Sequence, residues 1–327
     1  MRQAPNYRSR WQSQRKRHAR QWFCNYLFVI ICDNLLIMHV SALKECFVMK
    51  AVAKTNLYLR VLGKRQDAYH ELENVFVPVS GLYDDVELLP GENGVSLHIE
   101  GEAVPSDQEN LCLKAAEAFC SASGLKPQWT ILLRKRIPVA AGLGGGASDA
   151  AAVLLLLNEH YGNPLEKAKL AELASSLGAD VPFFLKPGPA LGTGIGDVLK
   201  PISINVHFAL LIVTPCFPVP VKWTYSHLSS ALPEAPCLDD FLASAKGDDL
   251  HSFARMCRND LEEPVFKKFP LLCAMRDCLM ENGALAVHVS GSGPSLFAIA
   301  ETAKAQAIAE RFHEKYHTFK PPVVACF

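Results

Sequence analysis

Pro138-Val139-Ala140-Ala141-Gly142-Leu143-Gly144-Gly145-Gly146-Ala147-Ser148-Asp149 joins an apolar run, Trp129 to Ile137, that reads as a strand to a segment, Ala147 to Tyr161, that reads as a helix. Successive glycines leave backbone N–H groups uncovered and allow an anion to approach closely. The helix that follows directs the positive end of its dipole at the same spot. Three consecutive glycines also carry a conformational-entropy penalty that a plain connector has no reason to bear. The loop therefore reads as a phosphate cradle. Ser148 can add a hydroxyl or cap the helix, and Asp149 is expected as a first-turn partner of the helix dipole.

Gly142-x-Gly144-x-x-Ala147 has the form of a dinucleotide fingerprint, but that reading needs an acid at the end of a second strand about twenty residues on. Glu159 and Glu166, the acids at that distance, both fall in helical pattern. A Walker loop is excluded because no Gly-Lys-Ser/Thr follows. A purely structural loop remains as the plain alternative.

Upstream, Val52 to Val61 reads as a strand with Ala53, Thr55, Leu57 and Leu59 on one face and Lys54, Asn56 and Tyr58 on the other. Short strands follow near Val86–Leu89 and Val95–Ile99, and Asn110 to Ser123 reads as a helix. Downstream, Leu165 to Leu177 is an amphipathic helix stopped by Gly178. A buried-looking strand, His207 to Val213, precedes the proline-rich Thr214–Val221, and the seam between domains is placed near residue 204. Helices then fall near Leu238–Ala245, Asp249–Cys257 and Phe269–Glu281. They are followed by a strand–loop–strand from Leu285 to Ala300, a helix from Thr302 to Tyr316 and a last strand at Val323–Cys326. Mixed in this way, the elements predict an α+β architecture and not a regular parallel sheet.

The 327 residues carry 33 basic and 33 acidic side chains, and the net charge of zero hides an asymmetry. Residues 1–48 hold eight Lys/Arg against Asp33 and Glu45 alone, so the remainder is mildly acidic without a basic stripe, which argues against nucleic acid as a partner. The eleven cysteines form no Cys-x-x-Cys pair, as expected for free thiols in a reducing, cytoplasmic setting. Against this, Arg2–Arg20 is basic and Trp22–Leu43 nearly apolar, the pattern of a signal peptide or anchor. The reading adopted is that 1–48 is an extension from a wrong start, with Met49 as initiator and no membrane partner in that case. Residues 49–204 would then form a nucleotide-binding domain and 205–327 a second domain.

The glycine loop resembles that of the kinases grouped as galactokinase, homoserine kinase, mevalonate kinase and phosphomevalonate kinase. Four further blocks agree in order: Ala53-Lys54-Thr55-Asn56-Leu57, Ala68-Tyr69-His70-Glu71, Gly178-Ala179-Asp180-Val181-Pro182-Phe183 and Val289-Ser290-Gly291-Ser292-Gly293-Pro294-Ser295. The first three of these resemble the diphosphocytidyl-methylerythritol kinase branch, and the similarity spans Met49 to about Ile299. The resemblance implies a two-domain small-molecule kinase fold. Its N-terminal ATP domain would be ribosomal-protein-S5-like and its C-terminal domain a ferredoxin-like α/β sandwich. It further implies ATP with Mg²⁺ as cofactors, a small-molecule alcohol bearing a cytidine diphosphate as substrate, and a role in non-mevalonate isoprenoid synthesis by a monomer or homodimer. The runner-up readings are a superfamily kinase for another alcohol and a catalytically silent relative.

By the same resemblance, Pro138 through Ser148 bind ATP, and Asp180 takes the proton of the substrate hydroxyl. Lys54 contacts both Asp180 and the reacting oxygen, and Asn56 holds the substrate. Tyr69 and His70 match a cytosine-binding pair, an aromatic face beside an imidazole that can both give and accept. Tyr225 supplies the opposite wall, with Trp223 as its substitute. The chain departs from the pattern at Ala147, Val77, Asp197 and an inserted Gly81. His313-Glu314-Lys315-Tyr316-His317 has the form of a zinc-protease motif, but only Cys326 lies downstream as a third ligand, so it reads as a polar helix face and no metal-binding residue is assigned.

Overall fold

The computed structural model describes residues 47–327 apart from 93, 103, 105–107, 127, 230–233 and 235; the basic and apolar segments upstream lie outside the described residues. β1 (Phe47–Lys64) and β2 (His70–Pro90) form one long antiparallel ribbon. β1 starts two residues before Met49 and runs beyond Val61. The first half of β2 was not foreseen. β4 (Trp129–Lys135) pairs with the far half of β2, β3 (Val95–Gly101) lies parallel to β4, and the hairpin β5–β6 (Ala190–Thr193, Val198–Pro201) attaches to the near half. The seventh strand, β8 (Arg258–Asn259), comes from the C-terminal half and pairs in parallel with Tyr58 and Leu59 of β1. The second sheet is antiparallel, in the order β11 (Val323–Cys326), β7 (Ala209–Val213), β10 (Leu296–Ala300), β9 (Ala286–Val289).

Three apolar clusters divide the molecule into layers. Val86, Leu88, Ile131 and Leu133 of the first sheet pack against Phe119 of α1 (Leu111–Ser123) and Leu154 and Leu157 of α2 (Gly145–His160), with α3 (Lys167–Leu177) outside. α2 is buried almost continuously from Ser148 to Asn158, which its all-round apolar sequence requires. Between the sheets, Tyr58, Val75 and Val77 meet Phe208, Ile212 and Phe297. Phe241 and Phe253, from α6 (Leu238–Lys246) and α7 (Leu250–Met256), close that layer. Behind the second sheet, Leu211 and Ala298 meet Leu272 and Leu279 of α9 (Pro270–Glu281) and Phe312 of α10 (Thr302–Lys315). β7 and β10 are thus apolar at every position because period-two alternation sends neighbouring residues into two different cores. Each fully buried Leu or Phe there contributes about 1.5–3 kcal/mol.

Two irregularities in the ribbon shape the site. Val52 pairs with Tyr83 and Ala53 with Val79, leaving Ser80, Gly81 and Leu82 as a bulge. Gly81 fits there because a Cβ would stand 3.1 Å from the Val324 carbonyl oxygen. Asn56 pairs with Phe76 but Tyr58 with Val75, so Leu57 is an extra residue and the alternation reverses across it. This corrects the predicted faces: Tyr58 joins the core between the sheets, and Leu59, not Tyr58, shares the cleft with Lys54 and Asn56.

Candidate active site

The glycine loop is fastened directly to β1, where the Lys54 N–H donates to the Leu143 carbonyl at 2.9 Å. Gly142 and Gly144 take φ of 75° and 69°, and neither has room for a side chain. A Cβ on Gly142 would stand 2.0 Å from the Ser290 carbonyl oxygen, and one on Gly144 would stand 2.8 Å from the Phe184 ring and 3.0 Å from Lys54 Cγ. Gly145 and Gly146 begin α2, whose uncapped first turn faces a cleft of about 1590 Å³. That exceeds the roughly 300–1,000 Å³ of a single-ligand pocket. Pro138 through Ala147 line the cleft, whereas Ser148 is buried behind it.

On the cleft wall Lys54 is almost wholly buried. Its Nζ donates to Asn56 Oδ1 at 3.0 Å and lies 3.3 Å from Asp180 Oδ2. Asp180 precedes the short helix α4 (Val181–Phe184) without capping it, so its carboxylate, 39% exposed, is left to Lys54 and the cleft. Gly178 and Pro182 fix this turn, with the Val181 N–H bonded to the Gly178 carbonyl at 3.1 Å.

Beneath the loop lies a charged base. Lys135 at the end of β4 reaches Asp84 of β2 and, at 3.0 Å, Asp149 of α2; all three are buried. Asp84 also accepts from the backbone of Arg136 and Ile137, which fixes the chain just before Pro138. Lys135 Nζ is 2.7 Å from where a Gly145 Cβ would sit. Asp149 is therefore not the first-turn dipole partner expected but a partner of Lys135. Burial pushes its carboxyl up to about 8 against the pull of Lys135, and its Oδ1 has no hydrogen-bond partner.

A second glycine loop, Ser290–Ser295 between β9 and β10, closes on the first. Ser290 Oγ donates to the Gly142 carbonyl at 3.0 Å, Thr55 Oγ1 donates to Ser290 Oγ at 2.9 Å, and the Ser295 N–H reaches the Ala141 carbonyl. Asn259 of β8 gives Nδ2 to the carbonyls of Val289 and Gly291, both at 2.7 Å. The neighbouring Asp260 accepts from Val61 N.

His70 and Tyr225, the latter on α5 (Val221–Ser226), stack at 4.9 Å and 26°. Burial, then Lys64, lowers the His70 pKa, which keeps the imidazole neutral. Burial, and then the Asp180 charge, raises that of Tyr225. Tyr69 lines the same cleft outside that stack and is 59% exposed. Trp223 lies off the cleft, stacked on His227 and covered by Lys268. The zinc-like pair is split: His313 is on α10, and His317 follows its end.

Asn74, Asn259, Lys135 and Asp84 were missed by the sequence reading. Only Lys135 left a trace there, as a lysine ending an apolar strand.

The profile for the GHMP kinase N-terminal domain matches residues 110–188, and that for the GHMP kinase C-terminal domain matches 241–318. A 4-diphosphocytidyl-2-C-methyl-D-erythritol kinase of Clostridium kluyveri is 39% identical over 270 residues, covering 82% of this chain and 96% of the relative. A kinase of the same name from Chlorobium chlorochromatii is 38% identical over 272 residues, covering 82% and 94%. A crystal structure of 4-(cytidine 5'-diphospho)-2C-methyl-D-erythritol kinase superposes with a TM-score of 0.72 at 34% identity, covering 86% of this chain and 98% of that one. Homoserine kinase from Cytophaga hutchinsonii shares the fold alone, with a TM-score of 0.67 at 20% identity and coverage of 88% and 98%. With both kinase halves matched and relatives this similar along nearly their whole length, the chain belongs to the 4-diphosphocytidyl-2-C-methyl-D-erythritol kinase family of the GHMP kinases.

Proposed function

We propose that the protein transfers the γ-phosphoryl group of ATP to the 2-hydroxyl of 4-(cytidine 5'-diphospho)-2-C-methyl-D-erythritol, a step of non-mevalonate isoprenoid precursor synthesis. The observation that carries this reading is the Lys54–Asp180 pair, 3.3 Å apart, in the same cleft as a glycine cradle at a helix N-terminus. Phosphoryl transfer asks for positioning, charge neutralisation and a base. Asp180 takes the hydroxyl proton as the oxygen bonds to the γ-phosphorus and the bond to the β-phosphate bridging oxygen breaks, releasing ADP. Lys54, paired with the Asp180 carboxylate at 3.3 Å, polarises the incoming oxygen. Residues from Pro138 to Ala147 hold ATP, with backbone N–H groups from Val139 onward on its phosphates, while Ser148, buried and with its N–H bonded to the Gly144 carbonyl at 2.9 Å, supports them from behind.

Asn56 holds the alcohol, and Tyr69, His70 and Tyr225 hold the cytosine. The neutral His70 imidazole can both donate to and accept from the base edge, with Tyr225 packed on its face and Tyr69 exposed for stacking. Trp223, turned away from the cleft, is the weaker second wall.

Mg²⁺ would be held chiefly by the substrate phosphates over the glycine loop. Among the described residues no group of three or more His, Cys, Asp or Glu could cage a metal, and Mg²⁺ ordinarily keeps its waters and uses substrate phosphates. When bound it neutralises phosphate charge. The residues 49–204 and 205–327 act as the two kinase domains of a cytoplasmic monomer or homodimer. The eight described cysteines are free, and among the described residues no helix is long and apolar enough to cross a membrane. Incubation of the protein with ATP, Mg²⁺ and the cytidylyl alcohol, mevalonate or homoserine should release ADP with the first alone. Release with another alcohol only would overturn the substrate.

A further inference from the structure

Asn74 of β2 is buried at the cleft wall beside the reacting pair, and its side chain takes part in a relay that starts at Lys54. An ammonium has donors only, so the Asn56 atom 3.0 Å from Lys54 Nζ must be the amide oxygen. That turns Asn56 Nδ2 the other way, where Asn74 Oδ1 accepts it at 2.7 Å. The charge on Lys54 therefore fixes two buried amides in sequence, and each can satisfy the next in one orientation only. The bulge at Leu57 sets this geometry by placing Asn74 opposite Leu59, two pairs along the ladder from the Asn56–Phe76 pair. Asn56 accepts one of the three Nζ hydrogens and Asp180 pairs with the ammonium as an ion at 3.3 Å, which leaves an Nζ hydrogen to face the cleft.

We propose that Asn74 is a positioning residue for phosphoryl transfer: by accepting from Asn56 Nδ2 it locks the Asn56 oxygen onto Lys54 and so holds the ammonium where its remaining N–H meets the reacting oxygen. This rests on the kinase reading above. Without the acceptor, Asn56 is free to rotate and turn its NH₂, a donor, towards the Lys54 ammonium, which also only donates, and this loosens Lys54. The backbone of Asn74 is held independently, by pairing to Leu59 and Gly192, so the side chain can be changed without removing a strand.

The test compares Asn74→Leu, Asn74→Asp, Asn56→Ala and the Asn56→Ala/Asn74→Leu double variant by steady-state kinetics. Asn74→Leu should lower kcat by about tenfold or more, the size expected of a small misplacement at a reacting centre, with the KM for ATP changed by less than about twofold. Asn74→Asp keeps an acceptor and should recover most of that loss. The double variant should be no slower than Asn56→Ala, because Asn74 acts through Asn56. An unchanged kcat in Asn74→Leu, or losses that multiply in the double variant, would overturn the proposal. An unmodified protein with no turnover would instead sink the kinase reading. The locking is then still read without substrate: the Asn56 side-chain amide signal, identified by its absence in Asn56→Ala, should exchange slowly with solvent in the unmodified protein and fast in Asn74→Leu. Equal exchange in both would refute the lock.

Discussion

The two glycine loops are similar in composition and opposite in construction. The first, Pro138 to Gly146, keeps its glycine backbone facing an open cleft and rests on a buried Lys135–Asp84 ion pair with the Asp149 carboxyl 3.0 Å from Lys135. The second, Ser290 to Ser295, is packed on nearly every side and rests on neutral groups: the Asn259 amide, the Thr55 hydroxyl and its own serines. A charged base under the first loop sets its strands and helix at a fixed distance where an anion arrives. The neutral base under the second offers only directional bonds, enough for a wedge that keeps the first loop against β1. A run of glycines in a sequence thus stands for either a ligand surface or a close backbone approach, and only the partners tell which.

The largest expected effect belongs to the open side of the contrast. Asp180→Asn keeps the shape but removes the proton acceptor, so kcat should fall by roughly 10²–10⁴-fold with ATP binding nearly intact. Lys54→Ala acts on the same step, and the pair should be clearly less than additive; additive losses would separate the two residues.

Next comes the charged base. Lys135→Met strands the Asp84 carboxylate, which is fully buried, and should destabilise the fold by about 3–5 kcal/mol in denaturant melts. Asp149→Asn should be far milder. With the Asp149 carboxyl raised by burial to about 8, the folded protein keeps a proton that the unfolded chain releases above about pH 4. Its contribution to stability is therefore greatest below that pH and declines as pH rises towards 8. Asp149→Asn has no such proton and should gain on the unmodified protein as pH increases across this window. A constant difference between the two would place Asp149 in the charged form throughout.

The third effect sharpens the contrast within one loop. Gly142→Ala meets both a positive φ and the Ser290 carbonyl, so it should lose at least about 2 kcal/mol. Gly146→Ala has Leu111 at 3.7 Å as its nearest neighbour and sits in the first turn of α2. Its stability should stay within about 1 kcal/mol or improve, while the KM for ATP rises as the methyl enters the cradle. Equal losses at both positions would mean that the loop is merely structural.

Much of this was legible beforehand because local pattern and local chemistry agree. The strand Val323–Cys326, the helix capped by Asn110 and stopped by Gly124, and the glycine loop each follow from neighbours in sequence. The first half of β2 was hidden because Asn74 breaks the apolar alternation on the cleft face that it shares with Leu72, while Glu71 and Glu73 lie on the other face. β8 is two residues long and has no pattern to show. The bulge at Leu57 cannot be read from β1 alone, since it is a property of the pairing, and it is what turned Tyr58 from the face of Lys54 and Asn56 into the core. The site residues brought near by the fold across long separations, Asn259 under Gly291 and Asp84 under Lys135, needed the packed structure to appear at all. Lys54 and Asp180 meet in it as the family resemblance implied, while Asp149 turned out to be part of the foundation.

The central claim, that this cleft reads a cytidine diphosphate at one end and reacts at the other, is tested most directly by pairing the cytidine substrate with its uridine analogue. Uridine reverses donor and acceptor at the 4-position and leaves buried partners mismatched at roughly 1–3 kcal/mol each. The cytidylyl alcohol should exceed the uridylyl one by about ten- to hundredfold in kcat/KM, and His70→Ala should narrow the gap chiefly by weakening the cytidine substrate. Equal turnover of the two by the unmodified protein would contradict the assignment of His70 and Tyr69 to the base.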